Sequence, residues 1–421
     1  MIIRSAPRLD LTYCLNIHPG ETWRDNFAAI RNDALRVRNL VAPNQPFGLG
    51  LRLSARAAAA LARPRALAEL RAFLDAHNLY VFTINGFPYG RFHGARIKQK
   101  VYAPDWRTQA RRDYTVALVD ILAALVPKGC SGSISTVPGS YKAWIASDAD
   151  IRAMARNLAD VAAHCARLRE TRGADIALAL EPEPDGFIET AGEAIAFLEG
   201  PLRALGTAHL AGTRRFGKAK ARAALARHIG ICLDTAHAAV QYVHPCLALK
   251  QLSRAGIRIP KVQLSAALRA YPDAAGVKRL RAFCDSVYLH QVRVKTASGR
   301  IAAFKDLPDA IAARTRRWKE TGRRPDEEWR IHFHVPLGFE EHEGLSSTAD
   351  LLDQRVMRVL YSAVAPHLEI ETYTFSVLPK KLRAADVAAG VAREFAWLRA
   401  RGGARWQPPP RKRVGRRRET S

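Results

Sequence analysis

Short β-like runs alternate with Ala-, Arg- and Leu-rich helical stretches along almost the whole chain, and that alternation restricts the fold more than any other feature. The runs are Leu11–Ile17, Phe47–Leu53, Leu79–Asn85, Gly132–Val137, Asp175–Glu181, Ile229–Asp234 and Pro260–Ser265, followed late by Arg330–Val335 and Leu368–Tyr373. Amphipathic segments separate them: Thr22–Val41, Ala55–His77, Trp106–Val126, Asp148–Arg172 and Ala191–Leu205. Thr22 and Asp148 suit N-caps, because their side-chain oxygens can take a free amide of the first turn. Strands alternating with helices predict βα units and a parallel sheet. About eight such units predict a closed (β/α)8 barrel rather than an open doubly wound sheet. Nine strand candidates compete for eight places, and Val287–Val292 suggests a hairpin with Arg300–Phe304. The expected organisation is one barrel domain over 1–401, an insertion near the mouth at about 270–329, and a disordered basic tail over 402–421.

A chain of 421 residues with 48% apolar and 25% charged residues can bury a full core without disulfide or metal staples. That excludes fibrous and mini-protein classes. The six cysteines form no CxxC pair, several lie in apolar runs, and MIIRSAPRLD lacks a signal-peptide core, so the expected setting is the cytoplasm without a membrane span. Lys and Arg total 66 against 39 Asp and Glu, a net +27, of which residues 401–421 carry +7. Such a surface attracts polyanions, and the tail could contact them without specificity. An Arg-rich solvation of ordinary helices explains the same excess.

Strand parity locates the chemistry. In DIALALE, Ala177, Ala179 and Glu181 share one face, and the carboxylate falls at the C-terminal end. Asp234 closes CLD, with His237 three residues on, and Glu371 lies at the end of the last strand. Gln263 is on the polar face of KVQLS, and His332 and His334 share a face of RIHFHV. Polar residues at the C-terminal ends of parallel barrel strands converge on one mouth. Two or three carboxylates with an imidazole or amide suit a divalent metal, Mn, Mg, Co or Zn. Each residue also has a plainer role: Asp234 fits a helix cap, Glu181 an ion-pair partner, His237 a satisfied helix histidine.

The order Glu181, Asp234-x-x-His237, a polar strand-seven residue and Glu371 resembles the xylose isomerase-like TIM barrels of sugar-phosphate isomerases and epimerases. That resemblance implies a metal held by Glu181, Asp234, Gln263 and Glu371, with Glu181 and Glu371 as acid and base and His237 on substrate. Gln263 departs from the usual His. If Arg330–Val335 is strand seven, His332 or His334 restores it. Over nearly the whole chain, TYCLNIHPGETW, PFGLGLRLS, LYVFTINGFPYGRFHG, SISTVPGSYK, LALEPEP, CLDTAH, VQLSAAL, VYLHQV, RIHFHVPL and LEIETYTFSVLP resemble the metabolite traffic protein EboE family. This implies a role in handling secondary-metabolite precursors, with a small-molecule metabolite and other proteins of the same pathway as partners. His18, Arg52 and Asn85 lie in these strings as candidate substrate contacts.

Three functions follow as expectations: a metal-dependent isomerase or epimerase acting on a small polyhydroxylated or carbonyl metabolite, a non-catalytic metabolite-binding protein using the same mouth, and an endonuclease IV-like nucleic-acid enzyme. The last would need histidines on strands two and three, where FGLGLRLS and LYVFTIN carry none. Phosphate-loop, dinucleotide and HExxH patterns are absent.

Overall fold

A computed structural model describes residues 1–92, 98–213, 216–322, 326–339, 341–375, 378 and 386–406. Eight parallel strands run in sequence order: Arg8–Tyr13, Phe47–Arg52, Leu79–Asn85, Ser131–Thr136, Asp175–Leu180, Ile229–Asp234, Lys261–Leu264 and His367–Ile370. They are strands one to eight below. From strand two onward each pairs in parallel with the next, and strand eight pairs with strand one. A parallel bridge from Cys14 to Gly50, with Thr12 Oγ1 donating to Gly48 O at 2.6 Å, links strand one to strand two. The fold is a (β/α)8 barrel. Ile2–Ser5 adds an antiparallel strand outside strand one.

Strand three is buried at all seven positions, which explains why LYVFTIN shows little alternation: strands covered on both faces carry apolar residues on both. In strand five Ile176, Leu178 and Leu180 join the main apolar core, while the small Ala177 and Ala179 do not. The first helix begins at Thr22, whose hydroxyl accepts from Asp25 N while Asp25 Oδ2 accepts from Thr22 N. The expected cap at Asp148 moves back one residue: Ser147 is the N-cap, its amide donating to Asp150 Oδ2 at 3.1 Å. That helix ends at Gly173 in the left-handed region (φ 69°), as C-terminal glycines permit. The expected segment Ala55–His77 is two helices, Ala55–Leu61 and Pro64–Ala76. Pro64 lacks the amide needed to continue the first helix but suits the first turn of the second.

Between strands seven and eight the chain builds a second sheet, in the order Ile301–Phe304, Val292–Thr296, Glu327–Val335, Ala266–Ala270, Leu345–Ser347, with every pairing antiparallel. The Arg330–Val335 run therefore belongs to this sheet and not to the barrel. The hairpin partner of Ile301–Phe304 is Val292–Thr296, five residues beyond the expected Val287–Val292. Gly402 ends the last helix, Gly403–Trp406 form a further turn with Trp406 buried, and the remainder of the basic tail lies outside the described residues. Among the described residues no helix is long and apolar enough to cross a membrane.

Under the mouth, the barrel interior holds a buried ion pair, Lys261 Nζ with Glu369 Oε2, both side chains fully enclosed. Lys261 also donates to Ser135 Oγ at 3.2 Å. A side chain at Gly50 would collide with Glu369 Oε1, so the glycine makes room for the carboxylate. Lys261→Met alone is expected to cost about 3–5 kcal/mol in urea unfolding, because it strands a buried carboxylate. Lys261→Met with Glu369→Leu should recover most of that loss. A single variant as stable as wild type would show that the pair carries no charge.

Candidate functional site

Strand six ends in Asp234, and strands five and eight are followed directly by Glu181 and Glu371, all three buried at the C-terminal mouth. Asp234 does two things at once. Its Oδ1 caps the next helix, accepting from Ala236 N (2.7 Å) and His237 N (2.9 Å), and also accepts from Ser265 Oγ (2.6 Å). Its Oδ2 is buried without a hydrogen-bond partner. Glu371 is similarly divided: Oε1 accepts from Asn16 Nδ2 (2.7 Å) and Asn85 Nδ2 (2.9 Å), and Oε2 is unpartnered. Glu181 Oε2 and Glu183 Oε1 are also buried and unpartnered.

Three imidazoles close over these acids. His237 follows Asp234 by one helical turn, and its ring centroid lies 4.5 Å from that of His332 and 5.4 Å from that of His334. His332 and His334 come from the second sheet. In strand Glu327–Val335, Ile331 pairs with Leu268 but His334 pairs with Ala267, so the strand bulges at His332–Phe333. Bulges of this kind re-aim side chains beside functional sites. Nε2 of both His332 and His334 is buried and unpartnered. Donor atoms within 4.8 Å of one another form three groups: Asp234–His334–Glu371, Glu181–Asp234–His237 and His237–His332–His334.

Electrostatics follow from this crowding. Burial, then the Glu371 and Asp234 carboxylates, push the Glu181 carboxyl well above the usual range, with Lys261 opposing. Burial and Asp234 do the same to Glu371, again against Lys261. Burial pushes Glu183 up to about 8. Burial lowers all three imidazoles, with His334 adding to the effect on His237, and His237 and His334 adding to that on His332. The histidines are thus neutral near pH 7 and carry a free lone pair. Neutral imidazoles and carboxylates with unpartnered buried oxygens are a donor set that fits a divalent metal.

The adjoining cavity, about 600 Å³ of non-atom space partly open to solvent, is lined by Glu181, Glu183, Glu371 and the three imidazoles together with Phe87, Phe92, Tyr102, Tyr288 and Tyr373, while Asp234 does not line it. Asn85 and His237 line it, whereas His18, Arg52 and Gln263 do not. His18 lies against Tyr13, with Tyr13 Oη 2.9 Å from Nε2. Arg52 donates to Gly20 O and Gly90 O and pairs with Glu21. Gln263 is on strand seven, with Oε1 accepting from Cys232 Sγ at 3.2 Å; the strand-seven side that reaches Asp234 is Ser265. His332 and His334 reach the mouth from the inserted sheet, since strand seven, Lys261–Leu264, carries no histidine. Sequence reasoning missed Gln291, whose Oε1 accepts from His332 Nδ1 (2.7 Å); only its polarity within VYLHQV hints at it.

No protein-family profile matches this chain, and no curated protein matches it in sequence. Solved structures do resemble it. The probable 3-DHS dehydratase AsbF of petrobactin synthesis from Bacillus anthracis is 12% identical, with 92% of this chain and 97% of that one covered and a TM-score of 0.43. The IOLI protein with a bound zinc atom is 11% identical, with 94% and 100% covered and a TM-score of 0.46. A xylose isomerase domain protein from Alicyclobacillus acidocaldarius is 12% identical, with 94% and 99% covered and a TM-score of 0.46.

A carboxyl whose folded pKa is raised contributes stability fully below its unfolded pKa and loses it as pH rises through the folded value. Glu181→Gln is therefore expected to stabilise the metal-free protein at pH 8, with the gain vanishing near pH 4, where the carboxyl is protonated in both states. Urea unfolding in chelator at both pH values measures it. A variant less stable than wild type at pH 8 would refute repulsion among these acids.

Proposed function

We propose that this barrel is a divalent-metal-dependent enzyme of the isomerase or epimerase kind, acting on a small carbonyl or polyhydroxylated metabolite. The observation that carries this reading is the set of buried, unpartnered donors at the mouth: Oδ2 of Asp234, Oε2 of Glu371 and Glu181, and Nε2 of His334. Leaving buried polar atoms unsatisfied costs about 1–3 kcal/mol each, so their convergence calls for a ligand. Asp234, His334 and Glu371 would hold the ion, and Mn, Co, Zn or Mg are its candidate identities. When bound, such an ion polarises a carbonyl and stabilises the charge of an enediolate.

The chain's own groups supply the rest. Glu181, its carboxyl raised by burial and by Glu371, can hold a proton on Oε2 near neutral pH and return it to a carbon or oxygen in the cavity. Asn16 and Asn85 keep Glu371 oriented by holding Oε1. The aromatic walls exclude water from the reacting face and favour a substrate with an apolar flank opposite its oxygenated end.

The EboE resemblance extends this to the handling of secondary-metabolite precursors together with proteins of the same pathway. Six free cysteines support a reducing, cytoplasmic setting. A nucleic-acid substrate is disfavoured, because strands two and three carry none of the histidines that the endonuclease IV-like reading would need. Polyanion contact through the tail is a separate and nonspecific matter.

Glu181→Gln combined with Glu371→Gln is expected to lose the ion held by Asp234, His334 and Glu371 while circular dichroism shows the barrel intact, read as a drop in metal content by plasma mass spectrometry after dialysis. Metal content equal to that of wild type in that variant would sink the ligand assignment. Wild-type metal affinity should keep rising with pH above the usual carboxylate range as the raised Glu181 and Glu371 carboxyls ionise, since protons compete for the same oxygens. Metal-dependent exchange of a substrate C–H for deuterium in D2O, followed by NMR over a sugar and keto-acid panel, separates catalysis from simple binding. Tight binding without exchange would favour the metabolite-carrier reading.

A further inference from the structure

The mouth offers more donors than one ion can use. Glu371 and Asp234 each have one oxygen committed to hydrogen bonds, so each presents a single free atom, and with Nε2 of His334 they complete one set. His237 and His332 are left over. Their protons are fixed by their neighbours. Pro182 O lies 3.1 Å from His237 Nδ1, and a carbonyl can only accept, so Nδ1 carries the proton and Nε2 the lone pair. Gln291 donates through Nε2 to Pro184 O at 2.8 Å, which turns its Oε1 toward His332 Nδ1 at 2.7 Å. His332 Nδ1 must therefore be the donor, and Nε2 is again free. A ring nitrogen held by an oxygen acceptor while the other faces a cavity is the arrangement that orients metal-binding histidines. Glu183 is the adjacent acid: Oε2 lies 4.0 Å from His237 Nε2, and Oε1 is buried and unpartnered.

Resting on the one-ion reading above, we infer that His237, His332 and Glu183 form a second divalent-metal position beside the first, completed by the inserted sheet. Two imidazoles and one carboxylate select a borderline ion such as Zn or Co over Mg or Ca. The pairing of a carboxylate-rich and an imidazole-rich position would let two oxygens of one substrate bind different ions.

The test is titration of the full, chelator-stripped chain with Co²⁺ alone, reading stoichiometry by equilibrium dialysis and the ligand field by visible absorption. Wild type is expected to take two Co²⁺ per chain. His332→Gln should take one and lose the visible band of the imidazole-rich position, while Glu371→Gln retains that band. Gln291→Leu leaves all proposed ligands in place and keeps the inference testable even where His332→Gln folds poorly. It should weaken the second ion by about 10–100-fold and leave the first unchanged. One Co²⁺ per chain in wild type, or unchanged affinities in Gln291→Leu, overturns the second position while the one-ion reading stands. No Co²⁺ binding at all overturns both.

Discussion

Mutual repulsion among Glu181, Asp234 and Glu371, three buried acids at the C-terminal ends of strands five, six and eight, is the constraint around which the rest of the structure is arranged. Burial limits how far water can screen them, so the protein does it in layers. From below, the buried Lys261 opposes the rise of both the Glu181 and Glu371 carboxyls while pairing with Glu369. From the sides, Asn16, Asn85, Ser265 and two helix amides hold one oxygen each of Glu371 and Asp234. What survives is one free oxygen per acid, aimed at a common space. A barrel selected for stability alone would place apolar residues here, since replacing buried charge by well-packed carbon is often neutral or stabilising.

The inserted sheet belongs to the same arrangement. It continues from strand seven through Ser265, and its central strand bulges at His332–Phe333. The carbonyl of His334 accepts from Thr374, Nδ1 of His334 is held by Glu371 O, and His290 Nδ1 holds His332 O. These contacts tie the sheet to the end of strand eight and fix both imidazoles above the acids. A carboxylate set from the barrel and two imidazoles from the insertion are thus joined by hydrogen bonds from side chains to backbone carbonyls and not only by proximity.

Much of this was legible in the sequence, for identifiable reasons. Strand runs such as Leu79–Asn85 and Ile229–Asp234 stand out because barrel strands are short, apolar and bounded by helices, and the carboxylates were found because period-two parity puts Glu181 and Asp234 at strand ends. Asp234 shows why parity alone could not decide between a cap and a ligand: one oxygen does each job. The second sheet was hidden because its pairings join Ala266–Ala270 to Glu327–Val335, residues about sixty apart, with a bulge that local pattern does not reveal. For the same reason the strand-seven substitution, Gln263, misleads. The imidazole the barrel strand lacks arrives from a different sheet, and the polar strand-seven contact to Asp234 is Ser265.

The charge balance adds an argument about order. The chain carries +27 overall, yet Glu181, Glu183, Asp234 and Glu371 gather at the mouth. Lys98, which lines the cavity, pairs with Asp306 and is not available to neutralise them. A positive surface raises the local concentration of anionic metabolites over the protein as a whole. At the mouth itself the sign reverses, and Lys261 beneath it is already paired with Glu369. Under the proposed function, a cation bound first would remove this repulsion, take up the free oxygens and let the floor accept a carbonyl, enediol or carboxylate oxygen. The aromatic side chains lining the cavity would then meet the remainder of the molecule, so that charge would select the oxygenated end and shape the rest.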